Sequence, residues 1–190
     1  MSEGHFHVHG PHDHEVEHQA HAGDSFASRI AVTTAILATV GAMMSFMGGA
    51  TQNEALLFKN EAAIKKTEAS DQWNFYQAKS SKQNLAELGM TLTTGETQEK
   101  YRAEAKRYSD EKKDIQKKAE DLEKAGHEAN AQSEASMHTH HRWAQATTLM
   151  QVAIALAAIT LLTRKPWMQW GVYGCAVGGL VIAGFALAHI

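Results

Sequence analysis

Hydropathy divides the chain into three apolar stretches, set one-then-two around a long polar insert. Ile30 to Met47, Trp143 to Thr163 and Trp167 to Ile190 carry no Lys, Arg, Asp or Glu, whereas residues 51–142 are dense in both signs. A hydrocarbon core about 30 Å thick needs about 17 to 25 helical residues at about 1.5 Å each, and every stretch reaches that length. The pattern predicts an all-α membrane protein with three transmembrane helices and a long antiparallel coiled-coil hairpin between the first and second. The expected divisions are a tail at 1–24, a first span within 25–50, a hairpin at 51–142, a second span at 143–163, a basic link at 164–166 and a third span at 167–190. Core helices of a soluble domain fit less well, because the remaining chain offers charge and few amphipathic elements to surround them.

No proline occurs between Pro11 and Pro166, so the insert reads as two long helices joined by a turn near 89–95. Gly89 suits a left-handed C-terminal cap, and Thr93 followed three residues later by Glu96 has the form of a capping box. A four-three spacing through Tyr101, Ala105, Tyr108, Lys112, Ile115, Ala119, Leu122, Gly126, Ala129, Ser133 and Ser136 predicts the seam of the second arm. The first arm is less regular, and Leu57, Ile64, Phe75, Ala78 and Leu85 form the stripe expected to face it. A seam holding Lys112, Gly126 and Ser133 buries little apolar area, which predicts packing against further copies or another protein. In the third span, Gly174, Gly178 and Gly179 are the residues expected to let helices approach closely.

Bulk composition changes the picture only when it is resolved by position. A net charge of −3 and 44% hydrophobic content describe an ordinary soluble chain. Yet fifteen of the eighteen Lys and Arg and sixteen of the twenty-one acids lie in residues 51–142, leaving that segment nearly neutral. Such balance excludes a nucleic-acid surface. The single Cys175 lies in the third stretch and permits no intrachain disulfide. Arg164 and Lys165 fill the short link between the last two stretches, and short basic links stay cytoplasmic. The expected placement is a multi-pass protein of a bacterial inner membrane, its amino terminus cytoplasmic and its hairpin periplasmic, with lipid and a homo-oligomer as contacts. Trp143, Trp167, Trp170 and Tyr173 suit the interfaces.

Metal chemistry is suggested by the amino-terminal tail. His5, His7, His9, His12, His14, His18 and His21 are seven of the twelve histidines, and neutral imidazole ligates zinc, nickel and copper(II). There is no His-Glu-x-x-His and no thiolate set, so a closed zinc site is not indicated. Met43, Met44 and Met47 near the end of the first stretch offer thioethers suited to copper(I), and Met137, His138, His140 and His141 precede the second. Together these features resemble the high-affinity copper transporter family, although here the methionines stand in the first span and the tail lacks methionine repeats. No phosphate-binding loop or nucleophile arrangement occurs, and the stretches hold no ionisable residue of the kind proton-coupled pumps use except His189 at the end.

The run Glu68-Ala-Ser-Asp-Gln-Trp-Asn-Phe-Tyr-Gln-Ala-Lys-Ser80, with an apolar anchor before it and two apolar stretches after the charged hairpin, resembles the bacterial domain-of-unknown-function family 4337 from about Ser25 onward. That resemblance implies an inner-membrane protein and carries over no catalytic residue. Trp73, Phe75 and Tyr76 cannot all face one seam, because neighbours one and two apart point in different directions on a helix. They are therefore candidate interaction residues. Two functions are expected: a non-enzymatic oligomeric scaffold or interaction subunit without a cofactor, or a metal-binding or metal-handling (zinc, nickel or copper) membrane protein or oligomeric channel that uses the histidine tail.

Overall fold

The computed structural model describes residues 25–188. Helix α1 covers Ser25–Leu92, α2 covers Glu96–Thr163 and α3 covers Met168–Leu187. Each contains a stretch long and apolar enough to cross a membrane. α1 and α2 are each 68 residues, and proline interrupts neither. Helices of this length are held by tertiary packing more than by intrinsic propensity. The chain divides into two compact units, one formed by 49–140 and the other by the segments on either side of it.

In the 49–140 unit the two arms run antiparallel. Ser133 Oγ donates to the Ala55 carbonyl at 2.8 Å, and Lys59 Nζ donates to Asn130 Oδ1 at 2.7 Å. A Cβ added to Gly126 would lie 3.5 Å from the Ala62 carbonyl oxygen. Ala55 with Ser133, Ala62 with Gly126 and Tyr76 with Lys112 are each equidistant in sequence from Thr94, so the pairing has no slip along this length. The second arm's expected seam is borne out: each of its eleven residues from Tyr101 to Ser136 is buried or half-buried.

The first arm faces that seam with different residues from those expected. Ala55, Ala62 and Ala69, seven apart, and Ala86 are buried, whereas Leu57, Ile64, Phe75, Ala78 and Leu85 are exposed. Helical spacing explains the exchange. Leu57 lies two positions beyond Ala55, about 200° around the helix, so both cannot point at the partner arm. Alanine permits the separation at which Ser133 reaches the Ala55 carbonyl. Leucine there would hold the arms apart.

The turn is shorter than the glycine pattern suggests. α1 runs through Gly89 to Leu92, and the left-handed residue is Gly95 at φ 65°. Gly89 serves close approach instead, because an added Cβ would stand 2.9 Å from the Tyr101 ring. Thr93 makes no capping box with Glu96; its hydroxyl donates to the Gly89 carbonyl at 2.7 Å, and Gln98 Nε2 donates to the Met90 carbonyl at 3.1 Å. Two carbonyls left over at the end of α1 are thereby satisfied.

In the other unit the three helices meet on small residues. Met150 of α2 is fully buried; a Cβ added to Gly41 of α1 would stand 3.2 Å from Met150 Cγ, and one added to Gly179 of α3 would stand 3.2 Å from the Ala146 carbonyl oxygen. Ala146, Ala153 and Ala157 of α2 and Ala176, Ala183 and Ala186 of α3 complete the interface, with Ile30, Leu37 and Met44 from α1. α2 ends at Thr163; the Arg164 N–H still donates to the Thr160 carbonyl at 2.9 Å, and the left-handed φ of 55° at Arg164 then turns the chain out of the helix. Pro166 then starts the turn into α3.

Glycine substitutions separate these packing roles. Gly126→Ala meets only ordinary contacts, at 3.4 Å or more, so removing glycine's helical penalty raises stability by about 1 kcal/mol; Gly89→Ala, blocked by the Tyr101 ring, gives less or none. Denaturant midpoints of the detergent-solubilised protein, followed by helicity, check the order. Gly179→Leu lowers the same midpoint by about 1–3 kcal/mol through overpacking. Gly174→Leu, with nothing near its Cβ position, leaves it within about 0.5 kcal/mol.

Candidate functional site

The aromatic run lies midway along the hairpin, where α1 and α2 exchange polar as well as apolar contacts. The seam continues from Ala69 through Gln72, Tyr76, Lys79 and Gln83 to Ala86 with its spacing unbroken, and these larger residues are half-buried; Trp73 beside them is half-buried too, while Phe75 is 49% exposed. Trp73 Nε1 donates to Glu123 Oε1 at 2.9 Å, and its ring meets Tyr76 edge-on at 5.6 Å and 77°. Lys112 Nζ lies 5.1 Å from the Tyr76 ring centre. Lysine at a seam position is thereby accommodated, with its stem packed inside and its charge over an aromatic face.

A second group sits one turn further along α1. The Lys79 ammonium donates to Glu111 and lies 5.3 Å from the Phe75 ring centre and 5.4 Å from that of Tyr108. Arg107 approaches the other Glu111 oxygen at 3.6 Å and lies 5.0 Å from the Tyr108 ring centre. Cations here stand between π-faces and one carboxylate. The Lys79 hydrogen bond is the main reason that the Glu111 carboxyl is held below its usual pKa, with the charges of Lys79 and Arg107 adding to it. This belt contains no nucleophile paired with a base. It joins the arms and fixes their register, and Phe75 is its outward edge.

The sequence alone singled out Trp73, Phe75 and Tyr76, and named Tyr108 and Lys112 as seam positions without pairing them to that run; Glu111 and Glu123 were not singled out. Folding the chain about Thr94 brings most of these residues opposite one another, so the turn position was the signal that would have found them. The third-span glycines separate by role. A Cβ added to Gly179 would press on α2, one added to Gly178 would lie 3.6 Å from Leu149 Cδ1, and one added to Gly174 would meet nothing within 4 Å.

The seven tail histidines from His5 to His21 lie outside the described residues. Among the described residues no group of three or more His, Cys, Asp or Glu is placed to hold a metal ion, so His138, His140 and His141 do not converge. His141 instead lines an open groove with Ala144, Gln145, Thr148 and Leu149 of α2 and Ile182 of α3. Cys175 is half-buried with a free thiol.

An all-helical chain with three stretches suited to crossing a membrane and a belted polar hairpin is thus the class that the fold defines. The chain matches the family described as Domain of unknown function (DUF4337) over residues 26–189, and it belongs to that family. No curated protein and no solved structure matches it.

Acid titration tests the belt. A carboxyl whose folded pKa is depressed stabilises the fold above its unfolded pKa, about 4.3, and the contribution is lost as pH falls through the folded value. Glu111→Gln therefore lowers the unfolding midpoint at pH 7 and flattens its fall below about pH 4.3, relative to the unsubstituted protein. Paired midpoints at pH 7 and at pH 3 to 4 measure the difference.

Proposed function

We propose that the chain is a non-enzymatic inner-membrane scaffold or interaction subunit, inserted by its three apolar stretches and assembled into a homo-oligomer through an antiparallel coiled-coil hairpin. The observation that carries this reading is the apolar surface of the hairpin's first arm. Leu57, Ile64, Leu85, Leu88 and Leu92 are between 54% and 75% exposed, and they lie outside the stretches suited to lipid. Single exposed leucines are ordinary, but a row of them along one helix marks an interaction surface. The first arm's buried seam residues are alanines, Ala55, Ala62, Ala69 and Ala86, so that arm adds little apolar area to the hairpin's own core. A partner on the outer face supplies the missing burial, at about 25 cal/mol for each Å² of apolar area.

Lipid would serve as the contact for exposed residues of the other unit, including Trp167, Trp170 and Phe185. The basic Arg164–Lys165 link supports a cytoplasmic placement for that turn and for the amino terminus, with the hairpin on the periplasmic side.

Mass measurement in mild detergent tests the proposal. The expected particle is a multiple of the 20.8 kDa chain, and Ile64→Lys with Leu85→Lys reduces it towards the monomer while helicity is kept. A monomer that captures no membrane protein would remove the scaffold reading.

A further inference from the structure

We propose that copies of this chain meet along the outward face of the first hairpin arm, parallel and in register, through a second seven-residue repeat. This deepens the scaffold reading and rests on it. Leu57, Ile64, Asp71, Ala78, Leu85 and Leu92 recur every seventh residue, and all are exposed. Three positions after the members of that row stand Asn60, Thr67, Asn74, Ser81 and Leu88, exposed as well. The two rows together make a four-three repeat facing away from the alanine seam. One helix therefore carries two seams, one occupied by α2 and the other open.

Charge separates this face from the rest of the hairpin. From Leu57 to Leu92 the open repeat contains one charged residue, Asp71, while Lys59, Glu61, Lys65, Lys66, Glu68, Lys79, Lys82 and Glu87 all lie off it. The second arm differs, with Arg102–Glu99, Lys113–Asp110 and Lys124–Glu128 as exposed ion pairs. Solvated charge suits α2 to water. α1 presents a face on which Asp71 is the one charge.

Periodicity identifies the occupant as a helix. An ideal α-helix drifts by about 20° per heptad against a strict seven-residue row, so an unbroken row is matched by a partner helix of the same repeat. The asparagines point to a second copy. Molecules inserted in one sense and related by an axis along the membrane normal bring like arms side by side in the same direction. Asn60 then faces Asn60, and Asn74 faces Asn74. A carboxamide both donates and accepts, so each meets a complementary group in its own copy, whereas a slip of one heptad sets Asn60 against Thr67 and Asn74 against Ser81. Asp71 meets its own copy as a like charge and limits the strength of the assembly. Thr67 accommodates the contact by turning its hydroxyl to the Ala63 carbonyl at 2.9 Å.

Disulfide trapping of the full-length protein in lipid nanodiscs, in a Cys175→Ala background, tests this. Ile64→Cys and Ser81→Cys form interchain disulfides several-fold faster than Lys66→Cys and Glu87→Cys, and adding Asp71→Asn increases the yield at position 64. Helicity of each variant, together with its particle mass, reports whether folding and assembly survive. Oligomeric particles that cross-link equally at all four positions, or faster at 66 and 87, would overturn the shared face while leaving the scaffold reading intact. Monomeric particles without cross-links would overturn both. A lower yield with Asp71→Asn would contradict the like-with-like register.

Discussion

Close approach between helices, made possible by small side chains, is the constraint on which the rest of this structure depends. In the hairpin it appears at Ala55 against Ser133 and at Ala62 against Gly126. In the other unit it appears where Met150 is held between Gly41 and Gly179. Each contact exchanges apolar area for proximity. A buried leucine in place of alanine would add about 0.8 kcal/mol for each further CH₂ removed from water, but only if the helices could still meet. Here they could not. The larger apolar residues of α1 are therefore turned outwards, and the outer face of the hairpin is a direct consequence of its narrow seam.

The alanines that α1 places in the seam specify register poorly, because one methyl is much like the next. The belt from Trp73 to Lys79 corrects this. Trp73 to Glu123, Tyr76 beneath Lys112, and Lys79 with Glu111 between Phe75 and Tyr108 are contacts that a shifted pairing would break together. Exposed ion pairs individually contribute little. Their value lies in discrimination between registers that the alanines leave nearly equal. The same residues form the run by which the family resemblance was first visible, which joins the most distinctive part of the sequence to the part of the hairpin that most needs distinction.

The second arm was legible from sequence residue by residue. Its four-three row mixes Tyr101, Tyr108, Ile115 and Leu122 with smaller residues, and the large members announce the period. The first arm was misread for the opposite reason. Ala55, Ala62 and Ala69 are weak signals, while Leu57, Ile64 and Leu85 are strong ones pointing the other way, so hydrophobicity identified the open face instead of the closed one. Gly89 was similarly ambiguous: a cap and a site of close approach both call for glycine, and only the Tyr101 ring decides between them. The division into three apolar stretches and a polar insert was plain because it depends on length and charge alone. The pairing of the aromatic run with Tyr108 and Lys112, and the presence of Glu111 and Glu123 beside it, were hidden until the turn at Gly95 placed α2 opposite α1.

The central claim is that alanine, and not the leucine row, closes the hairpin. Intrachain disulfide formation tests it most directly, in a Cys175→Ala background with Gly126→Cys paired either with Ala62→Cys or with Ile64→Cys. The account predicts rapid oxidation within one chain for the Ala62 pair and little for the Ile64 pair. The reverse order would place the leucine row inside the hairpin and contradict it.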